Sequence, residues 1–150
     1  WHMEIVCYAF ENRNKELEAP FLEYLEKYAL NPKDSEKKTD QKVKRLMNIK
    51  AHLQHLMDNK GKYDLPPLAQ KYRGRNIGIL KIKEADGLVR IAFYTKQANT
   101  IILLDAFDKP KLYEKGKKLK IDKMIEKFLD QAEASLSDYI KNNHSIPLNL

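Results

Sequence analysis

The chain has 150 residues, 43% hydrophobic and 33% charged, a composition that fits one globular domain over 1–150 better than two. Its single cysteine, Cys7, excludes an internal disulfide, and no apolar run approaches the ~18–20 residues of a membrane span. The formal charge of +7 is unevenly placed: residues 71–123 hold 14 Lys/Arg against 6 Asp/Glu, and the remaining residues hold 14 against 15.

A polyanion partner is therefore expected to bind the 71–123 segment, with a plain solvated lysine-rich face as the simpler alternative. Trp1-His2-Met3 has no basic n-region or apolar h-region, and reads as a cloning remnant followed by the start methionine. With a lone cysteine and no membrane segment, a cytoplasmic protein is expected.

In chain order, Glu4 to Phe10 is a short β-rich run and predicts a strand. After a polar break, Pro20 opens a helix with Phe21, Leu22, Leu25 and Tyr28 on one stripe, ended by Asn31-Pro32. Asp34 or Ser35 is placed to cap a longer helix built on Val43, Leu46, Met47, Lys50, Leu53, Leu56 and Met57, with Gly61 at its left-handed end. His52 and His55 lie three apart on that helix, but no third ligand accompanies them. Neither a metal site nor a cofactor is read.

Leu65-Pro66-Pro67-Leu68 reads as a rigid connector, after which the hydrophobic period changes from 3.6 to 2. Ile77–Glu84 and Leu88–Tyr94 are predicted strands around an Asp86-Gly87 turn, and Thr100–Phe107 is a third. A final helix carries Ile121, Met124, Ile125, Phe128, Leu129, Ala132, Leu136, Tyr139 and Ile140 on one face, and 142–150 is a tail. The order βααβββα describes an α+β domain, a small, mostly antiparallel sheet packed against helices.

The Asp86-Gly87 turn would pair Glu84 with Val89, Lys83 with Arg90, Ile82 with Ile91 and Leu80 with Phe93. Leu80, Ile82, Val89, Ile91 and Phe93 then form a core face, joined by Ile102, Leu104 and Ala106, and Lys81, Lys83, Arg90 and Tyr94 occupy the other face. The same register puts Asp105 beside Arg90. Like charges directly opposite each other on a sheet are destabilising, so such a face is either solvated or built to receive anions.

RNA cleavage is the chemistry this face suits. The 2′-hydroxyl must lose a proton, and charge on the phosphoryl oxygens must be stabilised. The fork of Arg90 matches phosphate, and a lysine crowded by cations has its pKa pushed down towards the range of a base. Tyr94 could stack a base or relay a proton, and His144 in the tail is a further candidate. No Gly-rich phosphate loop or Ser-His-Asp pattern competes with this reading.

Several segments then resemble one family in order. Ala19-Pro20-Phe21-Leu22-Glu23-Tyr24-Leu25 is similar to the first helix of RelE/HigB-type toxins, and Ile77-Gly78-Ile79-Leu80-Lys81-Ile82-Lys83 to their "G-L-W-E-L-R" strand. Leu88 to Tyr94 resembles "Y-R-I-L-Y-F", Ile101 to Lys111 resembles "I-L-L-L-H-A-F-x-K-K", and Ala132 to Tyr139 resembles the closing "A-x-x-R-L-x-D-Y".

The resemblance implies a RelE-like fold and the toxin component of a type II toxin–antitoxin system, partnered by a cognate antitoxin and acting on mRNA in the ribosomal A site without a metal. It implies Lys81 and Arg90 as catalytic candidates and Lys109 and Lys111 as RNA-binding ones; the hairpin face adds Lys83 and Tyr94 to the catalytic candidates, and the extra positive charge before the last helix, a departure from the family, adds Lys115, Lys117 and Lys118 as RNA-binding ones. Asp105 stands where the family often has His, and Pro110 splits the lysine pair. A catalytically silent RNA- or antitoxin-binding member and a ParE-like gyrase inhibitor stay open as alternatives.

Overall fold

The structure is a computed structural model describing residues 3–62, 69–71, 75–84, 87–97, 99–110 and 117–149. The 65–68 connector, Asp86, Lys111 and Lys115 lie outside the described residues, and of Lys117 only the backbone position is described. No described helix is long and apolar enough to cross a membrane.

The chain folds as α+β, with a mixed sheet and, among the described residues, three helices. Strand β1 (Glu4–Tyr8) is followed by the two-residue strands β2 (Phe10–Glu11) and β3 (Leu17–Glu18), which pair only with each other. Helices α1 (Pro20–Glu26) and α2 (Glu36–Asp58) come next, then β4 (Ala69–Lys71), β5 (Gly78–Glu84), β6 (Gly87–Lys96), β7 (Thr100–Pro110), α3 (Lys117–Asn142) and β8 (Ser145–Pro147).

The main sheet runs β4-β5-β6-β7-β1-β8, and β1 lies parallel to β7 while every other pairing is antiparallel. Residues 145–147, expected to be tail, instead close the sheet as its far edge strand.

Local chemistry explains the helix ends. Pro20 sits at the start of α1, where its missing N–H has no intrahelical partner to lose. Ser35 caps α2 by accepting from the Lys38 N–H at 3.1 Å. At the other end Gly61 takes a φ of 65° and its N–H reaches the Leu56 carbonyl at 2.9 Å. A Cβ there would collide with the Thr95 side chain, and the Thr95 hydroxyl donates to the Gly61 carbonyl.

Both faces of the sheet are covered, so the expected single core face is corrected. α1 and α2 bury Phe21, Tyr24, Ile49, Leu53 and Leu56 against Leu80, Ile82, Val89, Ile91, Phe93 and Ala106 on one side. α3 buries Phe128, Leu129, Ala132, Leu136 and Tyr139 against Ile77, Ile79, Ala92, Ile102 and Leu104 on the other. The stripe read on α2 is also rotated: Ile49 is fully buried, whereas Met47 is 66% exposed. Arg75, ahead of β5, pairs with Glu133, Asp130 and Glu126 of α3 at 2.9, 3.0 and 3.1 Å, and Tyr8 donates to Asp138 at 2.6 Å.

Two register corrections matter for the site. Glu84 pairs with Gly87, two residues short of the Val89 partner that an Asp86-Gly87 turn would give it. That shift moves every partner by two and keeps each side chain on its expected face. Lys81 therefore faces Arg90 across the strands, and Lys83 faces Leu88.

Between β6 and β7 a bulge intervenes: Ala92 pairs with Asp105 but Phe93 pairs with Leu103, leaving Leu104 as an extra residue. Ile102 and Leu104 consequently join the α3 side, and Arg90 faces Phe107 where Asp105 was expected.

Candidate functional site

The α3 side of the sheet changes character along its length. At one end Ile79, Ala92, Ile102 and Leu104 pack under the helix. Towards the β5–β6 hairpin the same face carries Lys81 on β5, Arg90 on β6 and Lys109 on β7. Cross-strand neighbours stand roughly 5 Å apart, which brings three cations together on a surface already half removed from water.

Arg90 is only 7% exposed, the one charged residue that is buried among the described residues. Burial holds the Lys81 ammonium below the ordinary lysine value, and the charges of Arg90 and Lys109 push it further down. Lys109 is lowered in the same way, by burial and then by Arg90, with Asp122 on α3 opposing the shift. Two lysines with weakened hold on their protons thus flank the Arg90 guanidinium.

Asp105 is half-buried and bonded to its neighbour, the Ala106 N–H, at 2.8 Å, and burial raises its carboxyl above the ordinary value. Being opposite Ala92, it does not serve as the cross-strand counter-ion of Arg90.

The other sequence candidates scatter. Lys83 is exposed at the end of β5 and lines a different cleft, on the α2 side. Tyr94 stands four residues beyond Arg90 on β6, about 13 Å along the strand, against the α3-side core. His144 precedes β8, three strands from β6, and its carbonyl accepts from the Ala9 N–H at 3.1 Å. Lys118 is exposed in the first turn of α3. Cys7 is fully buried and its thiol is pushed up to about 12 by that burial, so it is chemically quiet.

On the opposite side of the same sheet end lies a network that sequence reading missed. Asp108 accepts from the Tyr24 hydroxyl and from Lys27, both at 2.6 Å, and from Tyr28 at 3.1 Å. Burial alone would raise its carboxyl, but the bonds from Lys27 and Tyr24 hold it below the ordinary value.

Arg45 from α2 reaches Glu84 at 3.2 Å, Asp108 at 3.5 Å and the Tyr28 hydroxyl at 2.8 Å, and Asn48 donates to Glu84 at 2.9 Å. The available signal was the cluster Lys37, Lys38, Lys42, Lys44 and Arg45, hidden in a segment whose acids nearly cancel it.

A cavity of about 250 Å³ sits at the sheet end between the two groups, lined by Arg45, Glu84, Leu88, Asp108, Lys109 and Met124 among others. Among the described residues no cluster of three or more His, Cys, Asp or Glu is arranged to hold a metal. No protein-family model matches the chain, and no curated protein matches it.

Proposed function

We propose that the chain is the toxin of a type II toxin–antitoxin pair, an endoribonuclease of the RelE/HigB kind that cuts mRNA on the ribosome in the cytoplasm and is held by a cognate antitoxin. The observation carrying this reading is the facing of Lys81 and Arg90 across β5 and β6, with Lys109 close enough to lower the Lys81 ammonium. The ordered likeness of the chain's segments to that family adds to it.

In the proposed reaction Lys81, as free amine, takes the proton of a ribose 2′-hydroxyl. The 2′-oxygen forms a bond to phosphorus, the bond from phosphorus to the 5′-oxygen breaks, and a 2′,3′-cyclic phosphate results. Arg90 holds the phosphoryl oxygens as charge builds on them. The Lys109 ammonium returns a proton to the departing 5′-oxygen.

The 7% exposure of Arg90 favours a second reading, a site that grips RNA phosphates without cutting. Inducible expression of the wild type, Arg90→Ala and the bulkier Arg90→Met separates the two. Growth arrest with new transcript ends at ribosome-bound codons, lost in both variants while they stay folded, supports the nuclease. Wild-type RNA binding without any new ends supports the second reading.

A further inference from the structure

We infer that the cleft between α1, α2 and the end of β5 is a second binding surface for RNA backbone, continuing round the end of the sheet from the Lys81–Arg90–Lys109 cluster. This inference rests on the reading of that cluster as an RNA site.

The cleft measures about 1010 Å³ and its walls carry Lys27, Lys38, Lys42, Lys44, Arg45 and Lys83, with Glu84 as the one carboxylate in the lining. Two further carboxylates reach those cations: Asp34 pairs with Lys42 at 2.6 Å and Lys38 at 3.5 Å, and Asp108 pairs with Lys27 at 2.6 Å. Six cations thus meet three carboxylates. Lys44 and Lys83 are both exposed, and neither makes an ion pair among the described residues. Lys83 projects from the very strand that carries Lys81.

The path is continuous. The smaller cavity at the sheet end shares Arg45 and Glu84 with the cleft, and its far wall is Lys109 of the cluster. A strand whose phosphate lies against Arg90 can therefore pass Lys109, turn round the end of the sheet, and meet Lys83 and Lys44.

The lining also argues against other occupants. Its only aromatic side chain, Tyr28, is engaged: Arg45 stands 5.3 Å and Lys27 5.4 Å from the ring centroid, and its hydroxyl bonds Asp108. A peptide or an amphipathic segment needs an apolar anchor pocket, and a drug-sized metabolite needs a largely apolar enclosure. Among the described residues the lining holds no aliphatic side chain to form either. Lysine ammoniums are mobile point charges, suited to a backbone whose negative charges repeat without a fixed geometry.

The test is anisotropy of a labelled single-stranded RNA of ~15 nucleotides, titrated with the full chain at several salt concentrations. Lys44→Gln combined with Lys83→Gln is expected to weaken binding about tenfold at low salt and to reduce the slope of log affinity against log salt by about 1.4, the value for two phosphate contacts on a single strand. Both side chains are exposed, so the thermal midpoint should hold, and that midpoint certifies the fold.

Unchanged affinity and slope in the double variant would overturn the inference. So would retained RNA binding with selective loss of poly-glutamate binding, which would make the cleft an acidic-protein site. Failure of the nuclease reading looks different: the wild type then cuts nothing, while the double variant still loses RNA affinity.

Discussion

The two sides of one sheet end handle positive charge in opposite ways. Towards α1 and α2, Lys27 and Arg45 meet Asp108 and Glu84, and the Tyr24 and Tyr28 hydroxyls fill the remaining acceptor sites of Asp108. Towards α3, Lys81, Arg90 and Lys109 meet one another, and burial, reinforced by the neighbouring charges, makes the two lysines hold their protons less tightly.

Asp108 and Lys109 are adjacent in the chain, so strand alternation alone sends one to each side. On the first side ion pairs tie α2 to the sheet; on the second, like charges are gathered on one face. Counting charge along the sequence blurs this distinction, because it sums what the pleat separates.

The largest expected effect follows from exchanging which side is damaged. Arg90→Ala should lower cleavage by about 10²–10³, the usual loss when one donor to a developing oxyanion is removed, and Arg90→Lys should recover little because an ammonium lacks the bidentate fork. Arg45→Ala, on the compensated side, should leave the cleavage chemistry in place but cost about 1–3 kcal/mol of stability, since it strips bonds from two carboxylates. If Arg45→Ala abolished cleavage without a drop in thermal midpoint, the division between the sides would be wrong.

A smaller effect is expected at Asp108. Asp108→Asn should destabilise by about 1 kcal/mol, a hydrogen-bonded charge discounted for its half-exposed position, and lower the midpoint by a few degrees. Because its folded value lies below the unfolded one, its contribution is present above the ordinary carboxylate range and fades as pH falls through the folded value. Acid unfolding followed beside the Asn variant should show the two curves converging at low pH.

The smallest effect has the opposite sign. Lys81→Gln removes a charge facing Arg90 and should raise stability by about 0.5 kcal/mol. Lys81 sits below the ordinary lysine value, so just beneath that value the unfolded chain binds more protons and stability climbs with pH. The advantage of the Gln variant should therefore shrink as pH rises towards the lysine range, and phosphate should raise the wild-type midpoint more than the variant's. A Gln variant less stable than wild type at neutral pH would mean the cations are not in conflict.

Much of this architecture was legible because apolar spacing is dictated by the backbone. The α1, α2 and α3 stretches, the three long strands and the left-handed Gly61 all follow from it. The facing of Leu80, Ile82, Val89, Ile91 and Phe93 survived an error in the turn, since a shift of two preserves side.

Other parts were out of reach. Parallel pairing of β1 with β7 and closure of the edge by β8 depend on long-range contacts that no local pattern encodes. Of the site, Arg90 and Lys81 were readable as cations on one face, and Lys109 only through the family resemblance. Their true neighbours depended on a turn and a bulge, and the Arg45–Asp108 network on which side of α2 meets the sheet.

The bulge at Leu104 acts like a frameshift written in three dimensions. With continuous pairing from Phe93 and Leu103, the remainder of β7 would be out of phase, so that Arg90 would face Ala106 and Asp108 rather than Lys109 would stand opposite Leu88. A carboxylate would then stand beside Lys81 and Arg90 in the place of Lys109, and Lys109 would turn towards α1. One extra residue in β7 thus decides which of two adjacent charges joins the α3-side cations, with no change in the charge count of the chain.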